Sequence, residues 1–335
     1  MGDNGSGKTN ILDAIHYLSL TKSYFTSNDS TSINYYSEFF TIKGMFQKEE
    51  SFSDIVCNVK EGSPKSVKNN DKKYKRFSDH IGSYPVVFIS PTDSNLIYDN
   101  SDKRRKYIDS GISQFNSIYL KNLISYNKTL KQRNKLLKHF ANTNTFDEFT
   151  LSTYNELLVK YGNVIYNDRK KYLTRLIPVF QQYYTEISSG AEMVNVEYKS
   201  QLEHEEFLTQ LELSLGNDRQ AARTTVGIHK DDLVFTIDGY PIKKHASQGQ
   251  QKSFLISLKL AQFEFMKLEI GLSPILLLDD IFDKLDDKRV ECLISFVRKG
   301  KFNQVFITDT NRERSEGILK KTDSDYTIFN VKKKE

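Results

Sequence analysis

The feature that most constrains this chain is a stretch at its very start, Gly2-Asp3-Asn4-Gly5-Ser6-Gly7-Lys8-Thr9. It fits G-x-x-x-x-G-K-[ST], the phosphate-binding loop, without a mismatch. The three glycines let the backbone curl so tightly that successive amide N–H groups point inward at phosphate oxygens. Lys8 then reaches the terminal phosphates of a nucleotide, and the Thr9 hydroxyl holds Mg²⁺. Asn10 to Leu20 places Ile11, Ala14, Ile15 and Leu18 on one helical face, so a helix N-terminus points at the anion. The expected nucleotide contacts are Gly2, Asp3, Asn4, Gly5, Ser6, Gly7, Lys8 and Thr9, with Lys8 also acting in catalysis. A loop of this kind hangs from the end of a buried β-strand. The motif begins at residue 2, so that strand is expected to be absent from this sequence.

With 335 residues, 38% hydrophobic and 27% charged, the chain reads as a soluble protein able to bury a large core. No apolar run approaches the roughly 18 residues that span a bilayer, so no membrane partner is expected. The N-terminus shows no signal peptide, and Cys57 and Cys292 lack metal-type spacing. They read as reduced thiols in a cytoplasmic protein.

After the first helix, Thr21 to Ser37 has the composition of a loop, while Phe39 to Phe46 and Ser53 to Lys60 alternate as half-buried antiparallel strands. Lys60 to Arg76 holds seven basic and two acidic residues and reads as an exposed hairpin or loop. Either a solvated turn or a DNA contact would explain it. Tyr84 to Ile89 is a short apolar run of the buried-strand type. From about Asp99 the character changes. Phe115, Tyr119, Leu123, Tyr126, Leu130 and Leu137 mark one long amphipathic helix, and Tyr154 through Ile187 a second, bent near Pro178. Residues 99–140 contain ten Lys/Arg against three Asp, more excess charge than the whole chain's +5. Arg104, Arg105, Lys106, Lys128, Lys131, Arg133 and Lys135 are candidate DNA phosphate contacts, Lys121 and Lys138 further members of the cluster. A merely solubilising helix face would look the same from charge alone. Strand returns at Met193 to Tyr198, a helix at Glu203 to Leu215, and alternation at Leu233 to Ile237 before the turn Asp238-Gly239. The last hundred residues alternate: helix Phe254 to Leu268, strand Pro274 to Leu278, helix Val290 to Val297, strand Val305 to Thr308. Such alternation indicates a parallel sheet with helices on its faces. The Lys332 to Glu335 tail reads as frayed.

Two further constellations carry chemistry. The strand Ile275 to Leu278 ends in Asp279-Asp280, and an apolar strand delivering carboxylates at its C-terminal end completes the Mg²⁺ site of phosphate-loop enzymes. Asp279 would join Thr9 at the metal, and Asp280 would polarise the attacking water. Ordinary turn residues would also explain the pair. Ala246-Ser247-Gln248-Gly249-Gln250-Gln251-Lys252 opens the next helix and forms a second anion-grasping helix end.

The order Ser247-x-Gly249-Gln250, a strand ending in two acids, then Leu285-Asp286 resembles an ABC-type ATPase. That resemblance implies a head-to-tail dimer with ATP sandwiched between protomers, Ser247, Gln248, Gly249, Gln250 and Asp286 acting in trans. It narrows further. Ser90-Pro91-Thr92-Asp93-Ser94-Asn95-Leu96, Lys103 to Asp109, Tyr119-Leu120, Tyr126, Gln132 to Lys138, Arg223 to Leu233 and Ser247 to Gln251 resemble, in the family's order, the RecF family of bacterial recombination and repair ATPases. The fold class implied is α/β: an ABC-type P-loop ATPase head, with a parallel sheet flanked by helices, an antiparallel β part and an inserted helical lobe. The expected segments are 1–98 (first ATPase part), 99–190 (helical lobe) and 191–335 (second ATPase part).

The family further implies an ATP- and Mg²⁺-dependent homodimer that binds DNA at single-strand/double-strand junctions. It would act with RecR, RecO and RecA in recombination, replication restart and the SOS response. RecF-like chains carry a strand and a hairpin before the loop, so one central position of the parallel sheet is expected to be open. Asp280 stands where many ABC ATPases have glutamate, consistent with slow hydrolysis. The glutamine and histidine of transporter-type members are absent near Ser90 and Thr308-Asp309-Thr310, and His229 and Lys230 have no assigned role. An ATPase subunit of another ABC-type assembly, or a truncated inactive DNA-binding fragment, are the alternative readings.

Overall fold

The structure, a computed structural model, describes residues 1–282, 285–298, 300–310, 316–317 and 325–332. In chain order, helix α1 (Lys8–Leu20) leads into strands β1 (Phe39–Lys48), β2 (Ser51–Lys60), β3 (Ser66–Asn69), β4 (Lys72–Lys73) and β5 (Val86–Ile89). Helices α2 (Asn95–Tyr98), α3 (Ser101–Ser113), α4 (Ser117–Thr143) and α5 (Glu148–Ser188) follow. Then come β6 (Val194–Lys199), α6 (Phe207–Leu213), α7 (Leu215–Ala221), β7 (Asp232–Ile237), β8 (Tyr240–Pro241) and α8 (Ile242–His245). The chain closes with α9 (Gln248–Ile270), β9 (Ile275–Asp279), α10 (Asp287–Arg298) and β10 (Gln304–Thr308). These form two compact units, one of residues 1–94, 180–192 and 246–335, the other of 95–179 and 193–245.

The first unit holds two sheets. β10-β9-β5 is the parallel sheet expected from the alternation, with Leu276, Leu277 and Leu278 of the middle strand buried. β1-β2-β3-β4 is antiparallel throughout. Helix α1 serves both. Leu12 and Leu20 pack with Val86, Phe88 and Leu277 of the parallel sheet, while Tyr17 and Leu18 pack with Ile55, Cys57, Val59 and Val67 of the antiparallel one. The single apolar face expected from Ile11, Ala14, Ile15 and Leu18 is therefore corrected: Ile11 is 47% exposed, and the helix buries two faces because it has a sheet on each. At the join, His16 Nδ1 lies 3.1 Å from the Lys22 carbonyl, and burial lowers its pKa to about 3, so it is a neutral core imidazole. Among the described residues β10 pairs with one strand, β9. A cavity of about 720 Å³ runs past its Gln304 and Phe306, lined also by Ile15, Leu18, Phe46 and Ile275.

The second unit joins long helices to the sheet β6-β7-β8, whose turn places Asp238 at φ 48 and Gly239 at φ 80 as the dipeptide predicts. Helix α4 runs where its apolar spacing predicts, and α5 continues through Pro178 without a break. The helix expected at 203–215 is instead two short ones, α6 and α7, meeting at Ser214. Buried charge organises the core. Arg133 is fully enclosed, donating to Asp218 at 2.6 Å, Asn155 at 2.8 Å and Thr224 at 2.8 Å. Arg169 donates to both oxygens of Asp109 and to Asp231 at 2.8 Å. His229 lies 2.9 Å from the Tyr126 hydroxyl and 3.2 Å from the Thr224 carbonyl, and burial lowers its pKa to about 4. It braces this unit.

Removing one partner of a buried pair leaves the other charge uncompensated. Arg133→Ala is expected to lower unfolding free energy by about 3–5 kcal/mol in urea titrations, and Lys131→Ala, on the exposed side of the same helix, by less than about 0.5 kcal/mol.

Candidate nucleotide site and basic helix face

The phosphate loop folds as its glycines require. Gly5 (φ 78) and Gly7 (φ 99, ψ 12) lie in the left-handed region, and Gly7 caps the N-terminus of α1. The Ser6 amide donates to the Asp3 carbonyl at 3.2 Å and the Ile11 amide to Gly7 at 3.3 Å, closing the loop onto the helix. Lys8 is 5% exposed and curls over the loop, its Nζ donating to the Gly2 carbonyl at 2.7 Å and the Asp3 carbonyl at 2.8 Å. Ser6 Oγ is buried with no partner among the described residues, an orphan polar atom inside the cradle. Gly2 sits so close to the Val331 carbonyl that a Cβ there would approach it to 2.3 Å, and Met1 and Val331 pair backbone to backbone at 2.8 Å.

The strand β9 delivers its carboxylates to this loop. Thr9 Oγ1 lies 3.0 Å from both oxygens of Asp279, and Thr308 Oγ1, at the end of β10, donates to Asp279 Oδ1 at 2.6 Å. A hydroxyl and a buried carboxylate facing one another beside a phosphate loop is the donor set that fits Mg²⁺. Asp280 follows at φ 45, a conformation that aspartate tolerates and most residues avoid, and its side chain is part-exposed. Burial, then the neighbouring Asp279 charge, raise its pKa, while Lys8 and Lys252 pull it down. Lys252 Nζ also reaches the Asp280 carbonyl at 3.3 Å. Thr308 had been legible only as a strand end; a hydroxyl beside the acid of a neighbouring parallel strand is the signal that would have found it.

The helix end expected to grasp a second anion has its cap in place. Ser247 Oγ accepts from the Gln250 amide at 3.2 Å while Gln250 Oε1 accepts from the Ser247 amide at 2.6 Å, a complete capping box on α9. This leaves the Ser247 hydroxyl proton free to donate outward. Gln250 Nε2 is held at 2.8 Å by Glu192, itself bound by the Tyr184 hydroxyl. Ser247 and Gln248 are exposed and Gly249 half-buried. Asp286 is exposed too and accepts from the Arg289 amide at 3.0 Å, capping α10.

In the second unit the structure sorts the basic candidates. Arg133 is corrected: buried against Asp218, it cannot reach a phosphate. Arg104 and Arg105 are corrected also. Arg104 makes a two-pronged contact with Asp232, and Arg105 donates to Ser101 and the Asp231 carbonyl, with side chains 12% and 16% exposed. They tie α3 to the start of β7. Lys106 is exposed and paired with Asp102 at 2.7 Å. Lys128, Lys131 and Lys135 are exposed, and with Lys121 and Lys138 they follow spacings of seven, three, four and three along α4. This stripe lies opposite the buried Tyr119, Tyr126, Arg133 and Leu137, spans about 25 Å, and has no acid among residues 121–143.

A family model, the RecF/RecN/SMC N-terminal domain, matches residues 1–335. The DNA replication and repair protein RecF of Flavobacterium johnsoniae is 50% identical over 331 residues, covering 99% of this chain and 92% of that protein. Its counterpart from Phocaeicola vulgatus is 44% identical over 333 residues, covering 99% and 89%. The solved structure of the recombination mediator protein RecF with ATP, in the RecFOR pathway, is similar at TM-score 0.85 and 31% identity, covering 93% of this chain and 85% of that one. A Pyrococcus furiosus Smc head bound to the C-terminal domain of ScpA shares the fold at TM-score 0.53 and 17% identity, covering 96% and 84%.

Gly7→Ala adds a methyl that meets nothing within 4 Å, so its cost is conformational, about 1–2 kcal/mol at φ 99. We expect ATP affinity to fall about tenfold by calorimetry, with no comparable loss for Gly216→Ala, whose added methyl also meets open space.

Proposed function

The chain belongs to the RecF family of ABC/SMC-like ATPases, and from that premise we propose an ATP-gated DNA-binding protein of recombinational repair and replication-fork maintenance. The observation that carries this reading is the meeting of Thr9, Asp279 and Thr308 beside the phosphate loop, with a capped and outward-facing Ser247 on a separate helix of the same unit. Gly2 to Thr9 would bind the ATP phosphates through loop amides and Lys8. Thr9 and Asp279 would hold Mg²⁺, which supplies charge neutralisation at the phosphates. Asp280, next to Asp279 at the end of β9, would orient and deprotonate the attacking water.

A second copy would complete the site. Ser247, with a hydroxyl proton to donate, and the amides of Gln248 and Gly249, held in place by the Gln250 side of the capping box, form one end of a helix whose dipole favours an anion, and Asp286 lies beyond Asp280 in an exposed cap. The expected assembly is an ATP-dependent homodimer in the cytoplasm. The lysine stripe of α4 supports the DNA-binding part: sequence-independent contacts to backbone phosphates, salt-sensitive by counterion release. Junctions of single- and double-stranded DNA as the target, and RecR, RecO and RecA as partners in recombinase loading and the SOS response, rest on family resemblance.

Two variants separate the parts. Lys8→Ala is expected to abolish ATP binding measured by calorimetry. Lys128→Gln/Lys131→Gln/Lys135→Gln should leave ATP binding intact, weaken duplex binding and lower the slope of log affinity against log salt by about 2–3. An unchanged slope would remove α4 from the DNA contact.

A further inference from the structure

The solvent face of the four-stranded sheet in the first unit is unusually furnished. Alternation along β1 and β2 sends Ile55, Cys57 and Val59 to the core and leaves Phe39, Thr41, Lys43 and Met45, with Phe52, Asp54, Val56, Asn58 and Lys60, on the other side. Phe39, Met45 and Phe52 are 59%, 69% and 58% exposed, three large apolar side chains in water on one face. Register sets a row of lysines between them: Lys43 opposite Val56, Val56 opposite Lys68, Lys68 opposite Lys73. Lys43 is neutralised by Asp54 at 3.0 Å. Lys68 and Lys73 face each other directly across β3 and β4 and have no ion-pair partner among the described residues. Like charges directly opposite destabilise a sheet. Lys72, Lys75 and Arg76 are exposed beside them.

We propose that this face binds an unpaired nucleic-acid strand, Phe39 and Phe52 stacking bases and Lys68 and Lys73 neutralising the phosphates between. The charge complementarity decides the occupant. An apolar protein partner would leave the Lys68–Lys73 repulsion uncompensated, whereas a phosphodiester removes it. Stacking needs no hydrogen-bond pattern, since every base offers a π-face, and an antiparallel sheet with exposed aromatics and lysines is a platform of that kind. Phe52 stands opposite Gln47, eight positions along β1 from Phe39, about 26 Å, enough for a strand of about four nucleotides. The exposed large apolar side chains of α4, Ile118 and Ile124, are aliphatic, so its lysine stripe offers no Phe or Tyr ring for a base to stack on and suits duplex backbone instead. The inference rests on the DNA-binding reading above and gives its single-stranded part a location.

Fluorescence anisotropy on the full chain tests it, with a labelled oligothymidylate and a blunt duplex of equal length as probes. Phe39→Ala/Phe52→Ala is expected to weaken oligothymidylate binding by at least about tenfold and duplex binding by less than about twofold. Phe39→Tyr/Phe52→Tyr, which keeps the rings, should bind both as wild type does. Lys68→Gln/Lys73→Gln should lower the salt slope for the single strand. If the alanine pair leaves both probes untouched, or weakens both equally, the proposal is overturned, the first outcome leaving the face to a protein partner. Wild type binding duplex but not oligothymidylate overturns it while the DNA-binding reading stands. Wild type binding neither probe, with ATP present, overturns that reading itself.

Discussion

The first unit depends on a helix packed on two flanks. Because α1 is clasped between the parallel sheet and the antiparallel sheet, Leu12 and Leu20 on one flank and Tyr17 and Leu18 on the other fix its axis in both directions. The phosphate loop is the N-terminal extension of that helix, and a cradle built from backbone amides is only as well placed as the helix it leads into. Burial of these side chains at about 1.5–3 kcal/mol each is what holds the loop opposite the carboxylate end of β9. Thr9 and Asp279 meet because a helix and a strand 270 residues apart in sequence are locked to one core.

The same economy of placement appears at the N-terminus of α9. The capping box of α9 takes up two backbone amides, those of Ser247 and Gln250, with each other's side chains and leaves the amides of Gln248 and Gly249 at the helix end. Glu192 and Tyr184 hold Gln250 from outside. The residues that would touch a phosphate are thereby set before any phosphate arrives, which lowers the ordering cost of closing the site.

Much of this was legible in the sequence, and the exceptions share a cause. Gly2 to Thr9, Asp279-Asp280 and Ser247 to Gln250 are local patterns whose chemistry is written in consecutive residues, and the structure brings the first two together. Strands β1, β2, β7 and β9 follow their hydrophobic periodicity to within two residues. What local pattern could not disclose was which charged residues face inward. Arg104 and Arg133 looked like members of a basic cluster because Asp232 and Asp218, their ion-pair partners, lie about a hundred residues away, as does the Asp231 carbonyl to which Arg105 donates. Charge density in a segment counts both solvated and buried cations. The pairing that separates them is tertiary. The same holds for α1, whose second buried face exists only because a second sheet covers it. The lysine row on β1, β3 and β4 is likewise visible only once register aligns three strands.

The central claim is that the nucleotide site is two halves carried by different copies of the chain. Complementation tests it directly. Lys8→Ala disables the loop half and Ser247→Arg the helix half, so neither variant alone hydrolyses ATP, yet a dimer of one with the other contains one intact composite site. ATPase assays on the mixed variants should recover activity, approaching one working site per mixed dimer. A mixture as inactive as either variant alone would contradict the account.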